Sequence, residues 1–427
     1  MKKDDKYLTE VEEPFTIEEA LAEAARCLGC KKPMCTKNCP ASVNPSVFIQ
    51  MIKNKDFVRA AHHIREANIL GGCCSRVCPV ENTCEGACIR KKVDSPVKIG
   101  KLQRFVTDYE KDHELKVLNQ LPQTLEKVAL IGSGPASLTV ASVLAMKGYQ
   151  VTIFEAKGIA GGILSFGIAP FRLPQSIVDW EIDLVKKLGV KIVLNTYIGR
   201  DLTIEDLKKE GFEAFLIAVG RQMSKTLGLK GIELEGAQSA MEYLYEARMT
   251  EGKNRKDKNV IVIGGGNVAM DCASTAKILG AKNVTVIYRK TKKDMPATKA
   301  EIALNEKLGV NFEFECNPEE IIGEDGEVTK IIVNRNNLEK FEIKADRVLF
   351  AIGQDSDKIG EIIPKIKLDE ANKIVIDSDT HQTNLDGIFA AGDAVNGGKT
   401  VVQAVAEGKI CAEAIDKYLS EKRMNKK

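Results

Sequence analysis

At 427 residues the chain is too long for one ordinary domain, and two to four are expected. Hydrophobic residues make up 44%, enough for several cores, while 62 Lys and Arg against 60 Asp and Glu leave a net charge of +2, which gives no electrostatic reason for a nucleic-acid partner. The opening MKKDDKYLTEVEE has no apolar stretch of the signal-peptide kind, and no run approaches about 18 consecutive apolar residues, so a cytoplasmic chain with no membrane partner is expected.

Residues 1 to 118 read as mainly helical. Thr16-Ile17-Glu18-Glu19 has the form of a capping box, and the ALAEAARCLG that follows is expected as a helix delivering Cys27 and Cys30. Nine of the twelve cysteines lie between Cys27 and Cys88, while Cys272, Cys316 and Cys411 stand singly, as core cysteines do. In a reducing compartment such a cluster points to metal or catalytic thiols rather than disulfides. The first run is Cys27-x2-Cys30-x4-Cys35-x3-Cys39-Pro40; the second is Cys74-x3-Cys78-Pro79, with Cys84 and Cys88 close behind. Four thiolates per [4Fe–4S] cluster, with runs ending in Cys-Pro, fit ferredoxin-style ligation. Four-cysteine zinc sites are the alternative, since they tolerate short spacings too.

From about residue 120 strands alternate with helices. KVALIG (127–132) is an apolar run entering a glycine turn, LTVASVLAMKG (138–148) is helical, and VTIFEA (151–156) is a second strand. NVIVIGGG (259–266), a helix through MDCASTAKILG (270–280) and VTVIY (284–288) repeat that order about 130 residues later. Two such units predict doubly wound parallel sheets. In the first, Gly132-Ser133-Gly134-Pro135-Ala136-Ser137 offers a tight turn, close backbone approach and a helix N-terminus for a pyrophosphate, and Glu155, 21 residues after Gly134, stands where a carboxylate meets a ribose 2′-hydroxyl. Gly387-Ile388-Phe389-Ala390-Ala391-Gly392-Asp393 resembles the second FAD motif of two-dinucleotide-fold flavoproteins, and Thr400-Val401-Val402-Gln403-Ala404 resembles the helix start that faces the flavin pyrimidine. That resemblance also gives Gly162, Ile163, Ile198 and the Arg172 of Phe171-Arg172-Leu173-Pro174 to FAD.

The second unit carries Gly264-Gly265-Gly266-Asn267-Val268-Ala269. Its second strand ends in Arg289-Lys290, with Lys292 and Lys293 nearby and no carboxylate at the strand end, so a 2′-phosphate is expected and NADPH is favoured over NADH. NADH is the alternative. Ala351-Ile352-Gly353 and Ala218-Val219-Gly220 resemble the segments that link the two nucleotide domains in these flavoproteins. No paired cysteines lie between the nucleotide motifs, which counts against thioredoxin reductase-like disulfide chemistry.

Order, spacing and motifs over nearly the whole chain resemble the NAD(P)H-oxidising, FAD- and iron–sulfur-containing part of dihydropyrimidine dehydrogenases, within the glutamate synthase small-subunit superfamily. The resemblance implies two [4Fe–4S] clusters with crossed ligation: Cys27, Cys30, Cys35 and Cys88 on one, and Cys39, Cys78, Cys84 and Gln103 on the other. Cys74 is the alternative eighth ligand. Asp294-Met295-Pro296-Ala297 looks more like glutamate synthase. The expected fold is an α/β flavoprotein with FAD- and NADPH-binding Rossmann-like domains preceded by an α-helical iron–sulfur domain: clusters in 1–118, FAD in 119–233 and 355–427, and NAD(P)H in 234–354. The expected role is an electron-input subunit handing electrons to an acceptor subunit that carries FMN or iron–sulfur clusters, or to ferredoxin. The glutamate synthase small subunit and a free electron-transfer module are the other readings, and a hetero-oligomer is expected. EKRMNKK at the end reads as a frayed tail.

Overall fold

The computed structural model describes residues 3–221, 223–224, 227–253, 257–355 and 359–425. The chain divides into two compact units. One comprises Glu12–Leu164, Gln175–Arg221 and Lys358–Lys427; the other comprises Met1–Val11, Ser165–Pro174 and Gln222–Asp357.

The first unit opens with helices. Thr16 caps Ile17–Ala25: its Oγ1 accepts from Glu19 N at 3.2 Å, and Glu19 Oε2 accepts from Thr16 N at 2.9 Å. The helix stops at Ala25, so Cys27 and Cys30 follow its end rather than ride on it; Gly29, at φ +61°, bends the chain between them. Helices Pro45–Lys53, Phe57–Ala67, Gly71–Val77 and Ile99–Asp112 bury Phe48, Ile49, Ile52, Ile64, Leu102 and Val106 among themselves, residues spaced three or four apart on each helix face.

The same unit holds a parallel sheet in the order Ile388–Ala390, Phe212–Ile217, Lys127–Ile131, Gln150–Phe154, Lys191–Val193. Strand order reverses at Lys127–Ile131, and in open parallel sheets ligands bind beyond the carboxyl ends of the strands at such a reversal. The edge strand Ile388–Ala390 joins after the whole second nucleotide unit has intervened in sequence. Helix Pro135–Met146 is buried nearly all round; its polar members fit because Thr139 Oγ1 donates to Pro135 O at 2.8 Å and Ser142 Oγ to Thr139 O at 2.9 Å. The expected frayed tail is helical instead: Val401–Asn425 runs through it, and Arg423 reaches Glu126 at 3.0 Å. Lys426 and Lys427 lie outside the described residues.

The second unit repeats the parallel sheet in the order Ala237–Ser239, Arg347–Phe350, Asn259–Ile263, Asn283–Tyr288, Asn311–Phe314. An antiparallel sheet follows from Cys316–Glu324, Glu327–Arg335 and Glu339–Lys344. The N-terminal helix Lys3–Leu8 belongs here, with Tyr7 buried edge-on against Phe171. Among the described residues no helix is long and apolar enough to cross a membrane.

Candidate functional site

The two glycine turns are built alike. Gly132 has φ +92°, and a Cβ there would lie 2.5 Å from Ala218 O, while Ala218 N donates to Ile131 O at 2.9 Å. Gly264 has φ +143°, a Cβ there would collide with Ala351 O, and Ala351 N donates to Ile263 O at 2.8 Å. Ala218-Val219-Gly220 and Ala351-Ile352-Gly353 therefore back the two turns. The opposite sides are open: a Cβ on Gly134 would meet nothing within 4 Å, and one on Gly266 only Pro296 at 3.9 Å. Each opening lies at the N-terminus of a helix, Pro135–Met146 and Asn267–Ile278, where free N–H groups and the dipole favour a pyrophosphate. The residues present fit a dinucleotide at each turn.

Around the first turn, Glu155 is buried. Its Oε2 accepts from Ser133 N at 3.0 Å and from Ser133 Oγ at 2.5 Å, and its Oε1 accepts from Lys157 N at 2.9 Å. Oε1 keeps acceptor capacity for a ribose hydroxyl. Gly161 N donates to Ser133 Oγ at 3.0 Å and so lays Gly162 and Ile163 beside the turn. Ala136 and Ser137 are buried beneath it. Asp393 opens the short helix Asp393–Asn396; burial pushes its carboxyl above the ordinary range, and its Oδ1 accepts from Lys399 N at 3.1 Å. Gly392 N donates to Glu407 at 2.8 Å, and Thr400 Oγ1 donates to Gln403 Oε1 at 2.9 Å just before Val401 starts the long helix. The Ile198 side chain packs into the core with Ile131 and Phe154. Arg172 belongs to the second unit, where Asp271, at 2.5 Å, and Glu301 hold its guanidinium.

Around the second turn, Asn267 Oδ1 accepts from Thr298 N at 3.0 Å. Val268 is the second residue of the helix Asn267–Ile278. Arg289 and Lys290 are exposed at the end of strand Asn283–Tyr288 and make no ion pair among the described residues. The acid nearest them in sequence, Asp294, is turned onto Thr291, whose Oγ1 donates to it at 2.6 Å; that bond holds its carboxyl below the ordinary range. Lys292 is engaged with Glu306 at 2.5 Å.

None of the twelve cysteines is in a disulfide, and eight clustered ones fall into two cavities. One is lined by Cys27, Cys30, Cys35 and Cys88. The other is lined by Cys39, Cys74, Cys78 and Cys84, together with Gln103 and Val402. Gln103 Nε2 donates to Gly71 O at 2.7 Å, which fixes the amide on helix Ile99–Asp112. Burial raises the Cys35 and Cys39 thiols, and pushes that of Cys84 up to about 12; Cys78 is raised by its hydrogen bond with Cys74 and by burial. Such thiols ionise when metal displaces their protons. A zinc site gathers four sulfurs about 2.3 Å from one point. Among the described residues no three Cys, His, Asp or Glu side chains converge to hold a single ion. Two cavities, each with four cysteine sulfurs around it, fit clusters instead.

Two polar groups near these cavities escaped sequence reasoning. Arg65, wholly buried, meets Glu110 at 2.8 Å and also Glu181; burial opposes its charge, but the two carboxylates hold it ionised. Glu181 also accepts from Gly72 N at 2.5 Å and Cys73 N at 3.0 Å, capping the helix that leads to Cys78. Lys409 Nζ donates to Ala41 O at 3.0 Å and Ala67 O at 3.1 Å; burial lowers its pKa, and the neighbouring Cys39 opposes that.

Residues 126–408 match the pyridine nucleotide-disulphide oxidoreductase family, and residues 4–115 match the 4Fe–4S cluster domain II of dihydropyrimidine dehydrogenase. The chain belongs to this family of FAD- and iron–sulfur-containing, NAD(P)H-dependent oxidoreductases. Within it, the NAD-dependent dihydropyrimidine dehydrogenase subunit PreT of Escherichia coli O157:H7 is 41% identical over 97% of each chain. The glutamate synthase [NADPH] small chain of Escherichia coli K12 is 31% identical over 96% of this chain and 93% of that one. The thioredoxin reductase of T. acidophilum, at 23% identity, shares the fold with a TM-score of 0.56 over 70% of this chain and 99% of its own. The family accounts for both glycine turns and for the cysteine-rich start.

Proposed function

We propose that the chain is the electron-input subunit of a hetero-oligomeric oxidoreductase, with dihydropyrimidine dehydrogenase as the parent enzyme and uracil or thymine as its substrates. One observation carries the reading: a single chain joins two dinucleotide turns to two cysteine-lined cavities, and Val402, one residue into the helix expected at the flavin, lines the cavity of Cys39, Cys78 and Cys84. Bound FAD and iron–sulfur clusters would supply the conversion of a hydride's electron pair into single electrons. The chain's own residues bind and orient. Gly132, Gly134, Pro135 and Glu155 take FAD on its pyrophosphate and ribose sides, Gly392 and Asp393 its linker, and Thr400 and Val401 the flavin end. Gly264, Gly266, Asn267 and Val268 take the nicotinamide dinucleotide, and Arg289 and Lys290 its 2′-phosphate, which favours NADPH. Cys27, Cys30, Cys35 and Cys88 hold one cluster, and Cys39, Cys78, Cys84 and Gln103 the other. Twelve cysteines outside any disulfide suit the cytoplasm.

The relative at 41% identity is named as a subunit, which supports a partner chain and pyrimidine chemistry. The glutamate synthase reading is favoured by Asp294-Met295-Pro296-Ala297 and by the small chain at 31% identity. The purified chain, brown-yellow as isolated, should oxidise NAD(P)H with artificial acceptors while leaving uracil, and 2-oxoglutarate with glutamine, unchanged. Pyrimidine reduction by the single chain overturns the subunit reading. Co-purification with a large glutaminase-containing chain selects glutamate synthase.

A further inference from the structure

The two cysteine cavities differ in their rims. Around the cavity of Cys39, Cys78 and Cys84 the lining is buried or half-buried. The cavity of Cys27, Cys30, Cys35 and Cys88 is also lined by Leu28, Met34 and Ile89, which remain 53%, 42% and 42% exposed, and Val93, just beyond Ile89, is 70% exposed. Large apolar side chains left in water around one cavity are the signature of a surface covered by another protein.

The charge around that rim is one-sided. The segment from Arg26 to Cys39 contains Arg26, Lys31, Lys32 and Lys37 and no acid; the segment from Cys88 to Val93 contains Arg90, Lys91 and Lys92 and no acid. This stands out in a chain whose overall net charge is only +2. Glu23 and Asp94 answer Arg26, and Asp94 also answers Arg90 at 2.9 Å. Lys31, Lys32, Lys37 and Lys92 are exposed and make no ion pair among the described residues.

We infer that this apolar rim with its basic border is the docking surface for an acidic electron-acceptor protein. The inference rests on the electron-input reading above and adds where the partner sits and what its surface is made of. An apolar centre ringed by charge matches the anatomy of protein interfaces, and one-signed charge accelerates encounter with a partner of opposite sign. Across this surface one electron passes at a time: the donor side is re-oxidised as the acceptor's iron–sulfur group is reduced, and no proton or chemical group need move.

The test uses the full chain and two acceptors of opposite charge, a small acidic [2Fe–2S] ferredoxin and the cationic cytochrome c. Wild type should reduce ferredoxin at a rate that falls roughly tenfold as salt rises from about 0.02 to 0.2 M, because the Debye length shrinks about threefold, to roughly 7 Å. In K31E/K32E/K92E that rate should drop by about tenfold at low salt and cytochrome c reduction should rise, while anaerobic bleaching of the flavin by NAD(P)H stays at the wild-type rate. The neutral K31Q/K32Q/K92Q should fall between them, which separates charge from any fault in folding. A chain that NAD(P)H does not bleach overturns the electron-input reading and this one with it. A chain that is bleached normally, yet reduces both acceptors at rates indifferent to salt and to the substitutions, overturns the docking surface alone.

Discussion

Glu181 joins the parallel-sheet part of the first unit to its cysteine-rich helices. It sits on helix Gln175–Lys187, yet its carboxylate takes Arg65 from helix Phe57–Ala67 and the backbone N–H groups of Gly72 and Cys73. Glu181→Ala removes all three contacts in a place water does not reach. Breaking a buried pair from one side costs about 3–5 kcal/mol. Arg65 keeps Glu110, so the lower part of that range is expected, with two orphaned N–H groups adding to it. Glu181→Gln retains one acceptor oxygen and should cost roughly 1.5–3 kcal/mol. Because the helix Gly71–Val77 ends at Cys78, loosening its start should release iron from the cavity of Cys39, Cys78 and Cys84 before the cavity of Cys27, Cys30, Cys35 and Cys88. Chemical denaturation followed by circular dichroism, with iron content and paramagnetic resonance at each step, reads both effects. If Glu181→Ala unfolds within about 0.5 kcal/mol of wild type and keeps both signals, the ordinary range for a surface substitution, the capping role assigned to Glu181 is wrong.

Arg289→Ala should lower kcat/KM for NADPH by roughly 10- to 150-fold, the equivalent of a lost charge-assisted contact of about 1.5–3 kcal/mol, and leave NADH nearly unchanged; a wild type that already prefers NADH refutes the 2′-phosphate assignment. Gln103→Ala should alter the paramagnetic signature of one cluster while Cys74→Ala leaves iron content intact, and the reverse result transfers the eighth ligand to Cys74. Lys409→Met should lower the midpoint potential of the cluster at Cys39 by removing a cation that stabilises its reduced form, and a redox titration that does not move excludes the lysine from tuning it.

The sheets and turns were legible because their determinants are local. A glycine turn between an apolar strand and a helix is written in six consecutive residues, and both Gly132 and Gly264 prove to have a carbonyl where a side chain would stand. The helix Pro135–Met146 begins three residues before the apolar run at Leu138, because Pro135 sets the first helical dihedral and leaves no donor unpaired. Element ends were less legible. Helix Ile17–Ala25 stops short of Cys27, and the polar stretch up to Asn425 is helical, with Arg423 meeting Glu126, a partner almost 300 positions away. The antiparallel sheet Cys316–Lys344 was not read at all, although Asp325 and Gly326, and Asn336 and Asn337, carry the positive φ that hairpin turns need and stand in the sequence as turn residues.

Partnerships between distant charges are the part a single sequence cannot disclose. Arg172 sits in a motif that resembles an FAD contact, and its charge is consumed by Asp271 and Glu301, about 100 and 130 residues on. Arg65, Glu110 and Glu181 look like three ordinary surface residues on three amphipathic helices; only the fold shows that all three lie out of water. A buried charge is costly unless matched, so each must be specified together with its partners, and that dependence leaves no spacing for a reader to find. The cysteines are different because their partner is a compact inorganic group. Several thiols of each cavity come from one short run, three of them from Cys27 to Cys35 and three from Cys74 to Cys84, which is why the cysteines advertise their cavities while Gln103, one helix further on, needed a family resemblance to be noticed.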